Sequence, residues 1–311
     1  MAFRLFEELT PVTKTAMNML NLVDHYNYIV KPHITGAGSN RLRDPFTSLW
    51  WRVAEELLQL VSVDLLKKES LVILDYGGGT GHKSANVASS FLRLGKKEVV
   101  VDYYDLNLTS CDNAQKLYNS LGIDNTIIKS VDNIVRERYD LVIFSEVYEH
   151  FPLDECDRLT RDIVERLKPG GFLFLTTPNY YGRGPAEESS RYYTRRKCGH
   201  YKHYKPEEVL EHFSSLGMKC LGECYSGKKT TGRCKFQDYW YPFYRFDERL
   251  YRSRRLPNAL RKLYYYCSHP FWVFLDLLAY QYLYNRLYSD YIYVHRKNSM
   301  TMSLLFQKEG L

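Results

Sequence analysis

Two acidic residues and a histidine lie close together in the segment SEVYEHF, which follows an apolar run. Glu146 and Glu149 are three positions apart, and His150 comes directly after them. We predict that a helix begins here, which puts the carboxylates one turn apart, where they can hold a hard divalent cation such as Mg²⁺ with further oxygens from water or substrate. Alternatively, His150 acts as a general base without a metal ion. A third interpretation is structural, because the helix dipole stabilises acids at a helix N-terminus.

A glycine-rich turn lies earlier in the chain, in LDYGGGTG. Gly77, Gly79 and Gly81 follow the apolar run at 71–74. Glycines at such a turn let the backbone approach a ligand closely, and the next helix presents N–H groups to it. Asp75 stands before the glycines, where it favours a ligand with positive charge near the turn and would repel a pyrophosphate.

A further acid follows the second apolar run. Asp105 lies about twenty residues beyond the glycine turn, where an acid can accept both hydroxyls of a ribose. Asp102 is the competing candidate. Asp105 is preferred because a helix is predicted to begin soon after it.

These residues need a scaffold that brings the ends of several segments together. Short apolar runs such as LVILDY, EVVVDYYDL and DLVIFSE alternate with amphipathic helical segments. Runs that are apolar throughout predict strands buried on both faces, and the alternation predicts a doubly wound, mostly parallel α/β sheet. We predict an N-terminal helical extension at 1–68, a core at 69–228, a basic, aromatic helical insertion at 229–297 and a final strand at 298–311.

Five motifs carry a family resemblance. They are LDYGGGTG, YDLN, YDLVIFSEVYEHF, LKPGGFLFLTTPN and GHYKHYKPEEVLEHFSSLGM, which cover about residues 71–220. In these motifs the chain resembles the class I S-adenosylmethionine-dependent methyltransferases. The resemblance implies a seven-stranded Rossmann-like sheet, S-adenosylmethionine as cofactor and methyl transfer as the reaction.

The resemblance also implies roles around the cofactor. The three glycines of the turn, with Asp75 before them, would bind its methionine and ribose part. Asp105 would hold the ribose hydroxyls. Val131 and Asp132 would border the adenine, and Ser145 would line the pocket after the fourth strand.

The SEVYEH segment resembles the metal-binding motif of two methyltransferase groups. One is the ubiquinone-biosynthesis O-methyltransferases, which act on catechol-like rings. The other is the small-RNA 2′-O-methyltransferases, which complete the site with a later histidine. The resemblance makes Glu146, Glu149 and His150 candidate metal ligands, and His200 and His203 candidates for the later histidine. Glu149, His150 and His203 are the candidate catalytic residues, although the later histidines could instead only order a loop over the cofactor.

The segment GHYKHYKPEE is closer to the small-molecule pattern than to the RNA group. We therefore predict O-methylation of a small molecule, or of a lipid- or sugar-linked intermediate, by in-line transfer. The alternatives are an RNA 2′-O-methyltransferase and a non-catalytic, cofactor-binding scaffold subunit. Methylation of amino groups on bases is disfavoured, because SEVYEH occupies the place where such enzymes often carry an NPPY-type motif.

The predicted insertion is basic and rich in aromatic residues. Residues 245–287 could contact a membrane surface peripherally, because a basic patch precedes the apolar stretch Phe271–Tyr284. Nucleic-acid binding through Arg and Tyr is the second interpretation, and a lid with a solvated basic face is the third. The apolar stretch is too short to span a membrane.

The composition narrows the choice of compartment and partner. A net charge of +7 mildly favours anionic partners. The 7 cysteines show no paired metal-ligand spacing, so they predict reduced thiols. The first residues, MAFRLFEELTPV, lack the apolar core of a signal peptide. We predict a cytoplasmic protein, either fully soluble or peripheral at a membrane surface.

Overall fold

The computed structural model describes most of the predicted core. The described residues are 53–186 except 55, 200–228, 257, 260 and 295–310. Predictions for the extension before residue 53, and for the insertion apart from its two isolated positions and its last three residues, fall outside them. Among the described residues, no helix is long and apolar enough to cross a membrane.

Seven strands form one sheet. They are β1 (Ser70–Tyr76), β2 (Glu98–Tyr104), β3 (Asp124–Ile128), β4 (Tyr139–Ser145), β5 (Leu167–Pro178), β6 (Met218–Lys228) and β7 (Ser299–Lys308). Their order is β3-β2-β1-β4-β5-β7-β6. β7 is antiparallel to β5 and β6, and the other neighbours are parallel. The predicted doubly wound, mostly parallel sheet of seven strands is therefore confirmed.

Helices cover the sheet. Those described in full are α1 (Ser62–Lys67), α2 (His82–Arg93), α3 (Leu108–Leu121), α4 (Leu153–Arg166), α5 (Tyr180–Arg183) and α6 (Pro206–Ser215). α1, α2 and α3 pack into one apolar cluster with Ile143 of β4. α4 and α6 pack into a second cluster with Phe144, the next residue of that strand. Because successive residues of a strand point to opposite faces, the two clusters lie on opposite faces of the sheet.

β4 illustrates why these segments become central strands. All seven of its residues, YDLVIFS, are buried. A strand covered on both faces needs apolar side chains in both directions, so it reads as a continuous apolar run. The polar residues that begin and end such a run lie at the two ends of the strand.

The strand order places a crevice at the carboxyl ends of the strands. β1 lies between β2 and β4, so the connections that follow these strands diverge to opposite sides. Ligands bind at such a point in open α/β sheets. The glycine turn follows β1, Asp105 follows β2 and Glu146 follows β4, so three of the predicted segments meet there.

The predicted insertion departs from and returns to one place. Lys228, which ends β6, and Ser299, which begins β7, are partners in the antiparallel pairing. The return is anchored by Arg296, whose guanidinium donates to Glu207 at 3.0 Å and to Glu223 at 2.5 Å.

Candidate active site

The glycine turn has a backbone that requires glycine. Gly77, Gly79 and Gly81 all have positive φ, at 69°, 59° and 74°. At Gly81, which precedes α2, a Cβ atom would lie 2.8 Å from the Cβ of Ala114. Both the conformation and the space therefore exclude a side chain, and α3 packs directly against the turn.

Asp75, near the end of β1, packs against this turn. Its carboxylate is buried and accepts a hydrogen bond from the Ser84 hydroxyl at 2.5 Å. A Cβ on Gly78 would overlap this carboxylate. Burial raises the pKa of Asp75 to about 6, although the Ser84 hydrogen bond and nearby Lys83 lower it. The acid therefore fixes the shape of the loop on which a cofactor would rest.

The two candidate ribose acids occupy different environments. Asp105 lies at the crevice, where its Oδ2 accepts from the N–H of Gly79 at 2.8 Å. Asp102 lies within β2, buried, and accepts from Arg138 Nε at 2.9 Å and the Tyr139 hydroxyl at 3.0 Å. Asp102 thus joins strands inside the fold, and the geometry favours Asp105 as the acid that faces a ligand.

Two further predicted residues lie at the same edge of the sheet. Asp132 is exposed in a 3₁₀ turn, Val131–Asn133, shortly after β3. Ser145 is the last residue of β4 and is buried. Its hydroxyl is 2.6 Å from Lys83 Nζ and 2.5 Å from the Thr176 hydroxyl.

Glu146 directly follows β4 in a left-handed backbone conformation, with φ 57°. This conformation is uncommon for a residue with a side chain and is found more often at functional sites. The Glu146 N–H donates to the Thr176 carbonyl at 2.8 Å, and Oε1 accepts from the Thr176 hydroxyl at 3.1 Å. The prediction that a helix begins at these acids is wrong, because the left-handed turn leads into a 3₁₀ turn, Tyr148–His150, and α4 begins at Leu153.

Glu149 is turned into the protein. Its Oε2 accepts from the Thr177 hydroxyl at 2.9 Å. Its Oε1 is buried, and no described residue gives it a hydrogen bond. Burial, followed by the charge of Glu146, raises the pKa of Glu149 well above its usual range. An uncompensated buried carboxylate oxygen is costly, so this atom marks a position that suits a cation or a proton donor.

Two imidazoles lie beside this oxygen. His150 Nε2 is 4.0 Å from Glu149 Oε1. One ligand atom from each of Glu149, His150 and His200 lies within 4.8 Å of the other two. Of the predicted ligands, the structure therefore brings Glu149 and His150 together with His200. Glu146 is not one of these three: its Oε1 accepts from the Thr176 hydroxyl, and its charge acts on Glu149 from outside the cluster.

His203 lies behind His200. It is buried, and its Nδ1 is 2.9 Å from the Gly184 carbonyl, which can only accept, so Nδ1 carries a proton. Burial lowers the pKa of His203, so its Nε2 is an acceptor, and His200 Nδ1 donates to it at 2.8 Å. Burial and the neighbouring imidazoles also lower the pKa of His200 to about 4. Nε2 of His200 therefore carries a lone pair. His203 holds the His200 ring through the hydrogen bond between them.

Three residues of the site carry no sequence prediction: Lys83, Thr176 and Thr177. The threonines end a buried strand and have no spacing signal. Lys83 does have a signal, since a cation in the first turn of a helix opposes the helix dipole. It lies two residues after Gly81, and such an unfavourable placement indicates a function.

The chain resembles methyltransferases in sequence. Residues 49–221 match a family model described as a methyltransferase domain. A ubiquinone biosynthesis O-methyltransferase of Nitrobacter winogradskyi is 30% identical over 160 residues, which cover 48% of this chain and 56% of the relative. The match thus spans little more than half of that relative.

Two solved structures illustrate the structural similarity. A putative sarcosine dimethylglycine methyltransferase from Galdieria sulphuraria aligns with TM-score 0.49 and 14% identity, over 84% of this chain and 86% of the other. Geranyl diphosphate C-methyltransferase from Streptomyces coelicolor aligns with TM-score 0.45 and 14% identity, over 81% and 77%.

The family model covers more than half of the chain, and it coincides with the sheet and crevice described above. The chain therefore belongs to the methyltransferase-domain family and is an S-adenosylmethionine-dependent methyltransferase.

Proposed function

We propose that this enzyme methylates an oxygen of a small molecule that carries adjacent hydroxyl groups, as a catechol-like ring does. We further propose that Glu149, His150 and His200 hold a divalent cation beside that oxygen. The buried Glu149 Oε1, which has no hydrogen-bond partner among the described residues, is the observation that carries this proposal. The O-methyltransferase named among the relatives supports transfer to oxygen.

The three residues fit a cation chemically. One carboxylate oxygen and two imidazoles suit zinc, iron or manganese better than Mg²⁺, which prefers oxygen ligands. A cation would also neutralise the buried Glu149 carboxylate. His203 would fix the orientation of His200 through the 2.8 Å hydrogen bond between their rings, as partners of metal-binding histidines commonly do. When bound, the cation would lower the pKa of a coordinated hydroxyl and orient it.

The residues of the chain would align the reaction. The acceptor hydroxyl gives up its proton to water, its oxygen attacks the methyl carbon, the carbon–sulfur bond breaks, and the electron pair of that bond stays on sulfur to give S-adenosylhomocysteine. The glycine turn and Asp105 would hold the adenosyl part over β1 and β2. The methyl group would then face the end of β4, where Glu149 and His150 lie, and the two reactants would meet in line.

A turnover assay with matched acceptors tests this proposal. The full chain is stripped with EDTA and given S-adenosylmethionine with 3,4-dihydroxybenzoate or 4-hydroxybenzoate. We expect methylation of the dihydroxy compound only, restored by Mn²⁺ or Zn²⁺ more than by Mg²⁺. Glu211→Gln, a change on the exposed face of α6, serves as the control variant and should behave like the wild type.

Two results would contradict the proposal. Equal methylation of both benzoates would remove the requirement for adjacent hydroxyls. Undiminished turnover in EDTA would remove the cation and leave His150 as the candidate general base. The lipid- or sugar-linked acceptor stays a prediction, since nearly all of the predicted insertion, residues 229–256, 258–259 and 261–294, lies outside the described residues.

A further inference from the structure

Lys83 places a positive charge among the acids of the crevice. Its side chain reaches from the first turn of α2 to the end of β4, where Nζ donates to the Ser145 hydroxyl at 2.6 Å. Ser145 in turn contacts Thr176, which donates to Glu146. Burial lowers the pKa of Lys83, while the nearby carboxylates raise it. A lysine in this position is costly to maintain, because it is half-buried and because it opposes the helix dipole.

The position of Lys83 relates it to one end of the methyl donor. Asp105 and Gly79 lie on the β2 side of β1, which suits the ribose. With the adenine beside Asp132 after β3 and the ribose at Asp105 after β2, the methionine arm would continue in the same direction along the strand order, across the glycine turn toward β4. Lys83 and Ser145 bridge the crevice on that side.

The charges of the methionine arm explain the need for a lysine. The arm carries an α-ammonium group and an α-carboxylate, and the sulfonium adds a second positive charge. An acid on that side, Glu146, attracts the positive groups but repels the carboxylate. The N-terminus of α2, which begins after Gly81, attracts an anion. Lys83 lies in the first turn of this helix, so its ammonium and the positive end of the helix dipole both attract an anion on this side of the crevice.

We infer that Lys83 binds the α-carboxylate of the methionine arm of S-adenosylmethionine. Ser145 holds the ammonium in place before the cofactor binds. Lys83 thereby recognises the amino-acid end of the donor, whereas Asp105 recognises the ribose. This inference depends on the methyl donor alone and is independent of the proposed acceptor and cation.

A comparison of two ligands tests this assignment. S-adenosylhomocysteine carries the amino-acid arm, whereas 5′-methylthioadenosine lacks it. Their dissociation constants are measured by calorimetry on the full-length wild type and on Lys83→Met. A hydrogen bond between charged groups contributes enough that we expect S-adenosylhomocysteine to bind roughly 10- to 100-fold more weakly to the variant. Binding of 5′-methylthioadenosine should change less than about twofold, since it has no group for Lys83.

Two control variants make the result decisive. Lys96→Met removes another buried lysine, which donates to the Leu66 carbonyl at the opposite end of the strands, and should leave both ligands unaffected. If Lys83→Met is unstable, Lys83→Gln removes the charge while keeping a donor for Ser145. An equal loss for both ligands would mean that Lys83 only shapes the crevice, and no loss for either would exclude a role in binding. Either result would overturn the assignment.

Discussion

The two sides of the crevice differ in the groups that form them: backbone on one side and side chains on the other. The donor side consists of the glycine turn with Asp105, and its polar contacts are made largely by backbone N–H groups of neighbouring segments. The acceptor side consists of Glu149, His150 and His200, with the residues that hold them. There, side chains from three separate segments meet, and both Glu149 and His200 have a hydrogen-bonded partner that holds them.

This difference teaches what each side can tolerate. A site made of backbone is rigid and recognises a cofactor of fixed shape, but it offers little chemistry. A site made of carboxylate and imidazole can activate an acceptor, yet it needs partners such as Thr177 and His203 to hold it. We therefore expect single substitutions to change cation binding on the acceptor side and cofactor binding on the donor side, with little crossover.

The largest effect is expected from Glu149→Ala. It removes the buried oxygen of the cation cluster, so affinity for Mn²⁺ or Zn²⁺ should fall more than about 100-fold, beyond the loss typical of a residue that only supports a ligand. Glu146→Ala is the matched change and should cost less than about tenfold, because Glu146 lies outside the cluster. Calorimetric titration of the EDTA-stripped protein measures both. Equal losses would show that both acids bind the cation.

The donor side provides the next largest effect. Asp105→Ala removes the acceptor for two ribose hydroxyls, so S-adenosylhomocysteine should bind about 30- to 100-fold more weakly while the protein stays folded. Asp102→Asn instead disturbs the contacts to Arg138 and Tyr139, so it should lower the melting temperature more than the affinity. If Asp102→Asn weakened binding as much as Asp105→Ala, the ribose assignment would be lost.

Predictability from sequence also differs between the two sides. The glycine turn and Asp105 were predictable because each follows a local apolar run that ends at the same edge of the sheet. The acceptor side was predictable in residue types but not in grouping. Glu146 is not grouped with Glu149, His150 and His200, because a left-handed turn follows β4 and its side chain bonds to Thr176, and spacing alone does not reveal that turn. The roles of His200 and His203 depend on the Gly184 carbonyl, which only the folded chain places beside them.

A smaller effect is expected from His203→Ala. This change removes the acceptor that fixes the ring of His200, while the three atoms of the cation cluster remain. Cation affinity should fall about tenfold, the low end of the range for such supporting residues. His212→Ala is the control, since His212 bonds to Thr160 of α4 and packs near the Tyr148 ring, outside the cluster of three. A loss as large as that of Glu149→Ala would make His203 itself a ligand.

The smallest effect concerns Asp75, beneath the glycine turn, and the way its contribution to the free energy of unfolding depends on pH. Burial raises the pKa of Asp75 to about 6 in the folded protein, whereas its ordinary value is 3.8. The folded state therefore holds this proton more tightly, and the resulting stability is complete below the ordinary pKa and lost as pH rises through the folded value. Between about pH 5 and about pH 7 the loss should be about 1 kcal/mol.

Asp75→Asn keeps an acceptor for the Ser84 hydroxyl but cannot titrate, so it isolates this contribution. Urea unfolding of both proteins at the two pH values gives the free energy of unfolding. The wild type should lose about 1 kcal/mol more than the variant on going to the higher pH. Asp132→Asn replaces an exposed acid, and the free energy of unfolding of this variant should depend on pH as that of the wild type does. If Asp75→Asn also left it unchanged, the acid would be ionised beneath the loop at both pH values. The donor side would then contain a buried, ionised carboxylate, and the charge of Asp75 would attract the Lys83 ammonium, which also donates to Ser145.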